Sequence, residues 1–226
     1  MRGYWTYLGS IQAVPEDDTS FEKLSLPRGA ARGSNGRPIR EAFTATEVVH
    51  LLHIAEQNND TTLADLIRLG MYTGARIEEL CSVKVEDVRA DHFEVVDAKS
   101  PAGCRAVPMH RQLKAVLDRL LAAARTRPHD PYIVGGQRGD QFNIRSGALG
   151  KRFGCQKRAA GYGEELVFHS LRKTVATLLE NAGVPEGIAA DILGHEKKTL
   201  SYCLCSSGSS MQRKIEAIEK LAYPSL

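Results

Sequence analysis

Thr73-Gly74-Ala75-Arg76-Ile77-Glu78-Glu79-Leu80 breaks a helical pattern with a glycine and sets an arginine and two carboxylates directly behind the break. Upstream, Thr61 or Thr62 opens a helix whose apolar positions are Leu63, Leu66, Ile67, Leu69 and Met71; beyond Gly74, Ile77, Leu80 and Val83 keep helical spacing. Further back, Thr44 or Thr46 caps a helix with Glu47 in its first turn and Val48, Val49, Leu51, Leu52 and Ile54 along it, ended by Asn58-Asn59-Asp60. Downstream, residues 93–97 alternate as a short strand, Pro101-Ala102-Gly103 is a turn, and residues 105–108 form a second strand. Helical spacing returns at 113–121, 143–158, 169–181, 186–193 and 209–221. The predicted fold class is mostly α with a small antiparallel β-sheet, an α+β domain.

Two more segments carry chemistry-bearing side chains. His169-Ser170-Leu171-Arg172-Lys173-Thr174 places His169 and Arg172 three residues apart, on one helix face. Leu193-Gly194-His195 ends a helix on glycine and follows it with a histidine. Lys99 lies at the tip of the expected hairpin. Each has a plain reading alone: a surface arginine, a common i,i+3 pair, an ordinary helix cap. Their order and spacing taken together are specific.

The 226-residue chain carries 30 Lys+Arg against 27 Asp+Glu, a net charge of +3. That balance hides an asymmetry. Residues 41–100 hold 5 basic and 12 acidic side chains, whereas residues 101–175 hold 14 basic and 5 acidic. A basic middle is the electrostatic footprint of a polyanion partner. The residues read as phosphate contacts are Arg138, Arg145, Lys151, Arg152, Lys157 and Arg158. No apolar run approaches the roughly 20 residues needed to span a bilayer, and no signal peptide is recognisable. Five cysteines fit no disulfide framework, and Cys203 and Cys205 are poorly spaced for a metal. A cytoplasmic protein with no metal and no cofactor is expected, nucleoid-associated when bound to DNA. Residues 1–40 read as a partly disordered linker or tail, rich in Gly, Arg, Ser and Asn before Pro38.

These segments resemble the catalytic domain of the tyrosine recombinase, or phage integrase, family. The family pattern is an arginine in a Thr-Gly-x-Arg-x-x-Glu-Leu context, a hairpin lysine, His-x-Leu-Arg, Leu-Gly-His and then a nucleophilic tyrosine. The resemblance covers about residues 43–221. It implies site-specific DNA recombination, integration or excision, by strand cleavage and rejoining through a covalent 3′-phosphotyrosyl intermediate. It implies double-stranded DNA as partner, homo-oligomers on that DNA, and neither metal nor nucleotide. It makes residues 41–226 the catalytic domain, with the family's N-terminal core-binding domain absent. Arg76, Lys99, His169, Arg172 and His195 match its non-nucleophile active-site positions, and Glu79 matches the carboxylate that braces the first arginine. Two guanidiniums can fork onto the oxygens of a phosphorane without losing their charge. His195 would add a donor, Lys99 would protonate the departing oxygen, and His169 would take the nucleophile's proton.

The nucleophile departs from the family. Many integrases read Ser-Tyr-Gly-Leu-Tyr-Ser-x-Gly here, with the second tyrosine attacking. This chain reads Ser201-Tyr202-Cys203-Leu204-Cys205-Ser206-Ser207-Gly208. Cys205 occupies the nucleophile position, so the chain is expected to be inactive or impaired as written. Three readings stand: a deliberate replacement that blocks cleavage, natural loss of cleavage, or a fallback nucleophile in Tyr202, about one helical turn or roughly 5 Å away. The alternative function is a non-catalytic DNA-binding regulator, because residues 175–193 also outline a helix-turn-helix.

Overall fold

Thr44 starts the first helix, α1 (Ala45–Gln57), with a reciprocal cap. Its hydroxyl accepts from the Glu47 amide at 3.2 Å, and the Glu47 carboxylate accepts from the Thr44 amide at 2.8 Å. Asp60 caps α2 (Thr61–Thr73) by accepting from the Leu63 amide; the expected caps Thr61 and Thr62 lie inside the helix. Gly74 closes α2 in the left-handed conformation at φ 62°, which only glycine adopts freely. The computed structural model describes residues 11, 13, 39–96, 103–137, 139–195 and 208–224. Contacts divide the chain into Met1–Ile39 and Arg40–Leu226, and every element below belongs to the second unit.

The order continues with α3 (Ile77–Ser82), β1 (His92–Val95), β2 (Arg105–Pro108), α4 (Lys114–Arg125), α5 (Gly147–Ala159), α6 (Phe168–Asn181), α7 (Glu186–Leu193) and α8 (Met211–Ile218). The strands pair antiparallel, His92 opposite Pro108 and Val95 opposite Arg105. Mostly helix with one two-stranded sheet is the class read from the sequence.

α2 is the central helix, buried on nearly every side from Leu63 to Thr73. It packs against α1, α5 and α6, as a helix apolar all round must. Leu51, Leu52, Leu66, Ile67, Leu69 and Val175 are fully buried at these contacts, and Phe93 and Val107 bring the sheet's inner face into the same core. β2 packs against α7 and α8, and α6 against α7. The helix ends that carry Arg76, His169 and His195 are thereby drawn toward the start of β2. The Tyr223 hydroxyl donates to the Met71 carbonyl at 2.7 Å, which fastens the segment after α8 to the end of α2.

The largest departures from the expected boundaries are at α5 and α8. α5 begins at Gly147, not 143. Asn143 takes φ 58°, and one Asp140 carboxylate oxygen accepts from the amides of Phe142 and Ile144, so residues 140–144 form a turn. The Glu78 carboxylate then accepts from the Arg145 and Ser146 amides, each at 2.8 Å, satisfying donors at the start of α5. α8 begins after Ser210, whose hydroxyl caps it, and ends at Ile218. Lys99 and the expected hairpin tip lie outside the described residues.

Candidate active site

Arg76 immediately precedes α3, with an extended backbone and a half-exposed guanidinium. Glu79, one turn into that helix, is buried. Its Oε1 accepts from Arg76 Nη1 at 2.5 Å and its Oε2 from the Arg76 amide at 2.8 Å. Glu79 therefore braces Arg76 twice, once through the side chain and once through the backbone. Burial pushes the Glu79 carboxyl upward, yet hydrogen bonds and charge from Arg105, then Arg76, outweigh it and hold the group below its usual range.

Arg172 lies on the first half of α6 and is buried. Its Nη1 donates to the Gly74 carbonyl at 3.0 Å, the atom exposed where α2 ends. Its Nη2 is buried and has no hydrogen-bond partner among the described residues. Burial, with Arg76 and Arg105 as neighbouring cations, pushes Arg172 down to about 10, Glu79 being the carboxylate that opposes them. At neutral pH the guanidinium still carries its charge.

His169 and His195 complete the cluster from the start of α6 and the residue after Gly194. Both are held below the usual histidine value. For His169 the causes are partial burial, then Arg172, Arg76 and Lys173, against Glu79. For His195 they are partial burial, then Arg172, Arg76, Arg105 and His169. Near pH 7 both rings are thus mostly neutral, able to accept a proton or donate a hydrogen bond.

Arg105 is the residue the sequence reading passed over. Its side chain is 5% exposed, and its Nη2 and Nη1 fork onto Glu79 at 3.0 and 3.2 Å. A period-two reading of β2 offered the signal, since Arg105 shares a strand face with fully buried Val107. Glu78, which holds the start of α5, was likewise unassigned.

Three of the expected DNA contacts are engaged inside the molecule. Arg145 is buried: its Nε donates to the Cys81 carbonyl, its Nη2 pairs with Asp130 at 3.3 Å, and its guanidinium lies 3.5 Å over the Tyr132 ring. Lys157 is buried and donates to the carbonyls of Tyr162 and Gly163. Arg152 pairs with Asp60 through Nε and Nη2. Arg145 and Lys157 are therefore corrected from surface cations to structural ones, because counting charge along a chain does not see tertiary partners. Lys151 and Arg158 are exposed on α5, while Arg138, Tyr202 and Cys205 lie outside the described residues.

The lowered histidines fix a sign for stability against pH. His110, beneath Tyr72, is lowered chiefly by burial and faces Glu219 and Arg111. With His169 and His195 it gives three imidazoles that resist protonation in the folded chain. The unfolded chain takes up those protons near pH 6.5, so stability is full above that value and lost as pH falls through it. The melting temperature is expected to fall from pH 7.5 to 5.5, and a rise on acidification would contradict the assignment.

The arrangement suits an oxyanion: among the described residues, three guanidiniums and two neutral imidazoles surround one carboxylate. Comparison with known proteins points the same way. The model of the phage integrase family matches residues 41–201. A tyrosine recombinase of Pseudothermotoga lettingae is 27% identical over 222 residues, spanning 98% of this chain and 72% of that protein. Tyrosine recombinase XerA of Pyrococcus horikoshii is 26% identical, spanning 90% of this chain and 67% of that one. The integrase of Escherichia phage HK022 is 26% identical, and the match covers 84% of this chain but 54% of its own. The lambda integrase catalytic core superposes with a TM-score of 0.55 at 24% identity, over 70% of this chain and 96% of that one. A lambda integrase dimer bound to a COC′ core site gives 0.57 at 23% identity, over 75% and 63%. These superpositions establish a shared fold.

Proposed function

Because the chain belongs to the phage integrase family, we propose that it is the catalytic part of a site-specific DNA recombinase, built to cleave and rejoin strands through a 3′-phosphotyrosyl link and disarmed by Cys205. The observation that carries this reading is the buried, unpartnered Nη2 of Arg172 beside Arg76 and Arg105. A buried cation costs several kcal/mol unless it is paired. Among the described residues one carboxylate faces three guanidiniums, which leaves the cluster in need of an anion, and a DNA phosphate supplies it.

In this mechanism Arg76 and Arg172 fork onto the non-bridging oxygens of the scissile phosphate and gain strength as negative charge grows on them. His195 adds a donor. His169, largely neutral at pH 7, receives the nucleophile's proton. Lys99 protonates the departing 5′ oxygen. The attacking oxygen would come from position 205, where a thiol now stands. A thiolate attacks carbon or disulfide sulfur in preference to a phosphodiester, so Cys205 would leave DNA bound and uncut. Residues 1–40 act as a linker ahead of the catalytic unit, Lys151, Arg158 and Arg138 contact backbone phosphates, and the working form is a multimer on duplex DNA in the cytoplasm.

The test is covalent trapping on nicked suicide duplexes with a randomised core, comparing the chain as written with Cys205→Tyr. The expected result is a phosphotyrosyl adduct from Cys205→Tyr alone. An adduct at Tyr202 in the unchanged chain would move the nucleophile assignment. Sequence-specific binding with no adduct from either chain would favour a regulator that uses the helix-turn-helix of α6, the Gly183 turn and α7.

A further inference from the structure

Arg105 touches three separate parts of the site. Its Nη1 and Nη2 fork onto Glu79, which in turn holds Arg76. Its Nε donates to the Ile192 carbonyl at 2.8 Å, at the end of α7, three residues before His195. Its Nη1 also donates to the Gly103 carbonyl at 2.8 Å, two residues earlier in the chain. The guanidinium packs under Gly194: a Cβ added there would lie 2.8 Å from Nη1 and 2.9 Å from Cζ. Gly194 has φ 68°, so the chain turns tightly over the arginine toward His195.

Resting on the recombinase reading for its consequence, we propose that Arg105 is a positioning residue that locks Glu79 and the Ile192–His195 turn into register with Arg76, so that hydrogen-bond donors from three chain segments converge on one phosphate. Glu79 has two oxygens, and Arg105 donates one hydrogen bond to each. Arg76 is left with one side-chain bond to Glu79 and keeps its other guanidinium nitrogens for an incoming anion. Without Arg105, Glu79 becomes free to take Arg76 or Arg172 by a two-pronged bond and draw it off the phosphate. The turn carrying His195 would lose its only side-chain tie to β2 among the described hydrogen bonds. A lysine keeps the charge but cannot hold a planar fork and a third carbonyl together.

Two variants of the full chain test this. Arg105→Lys is placed in the Cys205→Tyr background, and the trapping rate and half-saturating DNA concentration are measured separately. The expected result is a trapping rate down by about tenfold or more, since small misplacements cost that much, with half-saturation moved less than about threefold. The second is Arg105→Met in the chain as written, with the His195 ring followed by NMR titration. The cations facing that ring are Arg172 and Arg76, together with Arg105 itself and His169 when protonated. Removing one of them is expected to raise the pH at which His195 titrates. A role confined to holding the fold together would lower the melting temperature and leave the His195 titration and the rate-versus-affinity split unmoved. If Arg105→Met fails to fold, Arg105→Lys with an unaltered His195 line position and an undiminished trapping rate overturns the proposal. If Cys205→Tyr itself gives no adduct while the His195 line position moves in Arg105→Lys, where the charge is kept, the positioning role stands and the recombinase reading falls.

Discussion

Arg172→Ala in the Cys205→Tyr chain is expected to lower covalent trapping on DNA by about a thousandfold, the scale seen when one preorganised donor to a developing oxyanion is removed. The expectation follows from geometry. Arg172 spends Nη1 on the Gly74 carbonyl and leaves Nη2 buried and unpartnered. Such a group is held by the fold at a cost, because neighbouring cations and burial both oppose its charge. Removing it therefore relieves a strain while it empties the site. The melting temperature is expected to stay within a few degrees, so the loss is chemical. Arg172→Lys should recover only part of the rate, since an ammonium cannot hold the Gly74 carbonyl and present a second fork donor together. Trapping retained within tenfold in Arg172→Ala would remove this residue from the reaction.

Gly74→Ala is expected to destabilise the fold strongly. The position has φ 62° and ψ 13°, where a Cβ costs about 1–2 kcal/mol. The added atom would also lie 2.5 Å from Leu193 Cδ2 and 3.2 Å from Val175 Cγ1, two fully packed side chains. Forcing volume into such a place costs about 1–3 kcal/mol more. Together the loss is about 2–5 kcal/mol, a large share of the roughly 5–15 kcal/mol that holds a domain folded. Chemical denaturation reads it directly, and a loss under about 1 kcal/mol would show that Leu193 moves aside freely. Because the Gly74 carbonyl accepts from Arg172, anion binding should weaken in step with stability.

The helices were legible where a local rule decides them. The Thr44 cap, the Gly74 stop and the Gly194 stop depend on residues within one turn. The start of α5 was not, because a carboxylate 67 residues earlier, Glu78, supplies its acceptor. Arg76, Glu79, His169, Arg172 and His195 were found through motif order. The structure sets the arginines and histidines within reach of one another's charge, with Glu79 bonded to Arg76. Arg105 was missed because its meaning lies in a partner 26 residues away. Arg145 and Lys157 were misplaced for the converse reason: a run of charge looks solvated until Asp130, Tyr132 and the Gly163 carbonyl come into contact with it. Local chemistry announces itself in a sequence, and electrostatic partners across the fold do not.

The bond from Arg172 to Gly74 spans 98 residues, and Arg105 reaches 87 residues to Ile192. Closing contacts this distant in sequence costs more chain entropy than closing local ones. A chain emerging from the ribosome has Arg76 and Glu79 long before it has α6 and α7. Neither the Gly74–Arg172 bond nor the Arg105–Ile192 bond can form until α6 and α7 have been made. On the recombinase reading, the phosphate site is therefore complete only once the domain has closed upon itself.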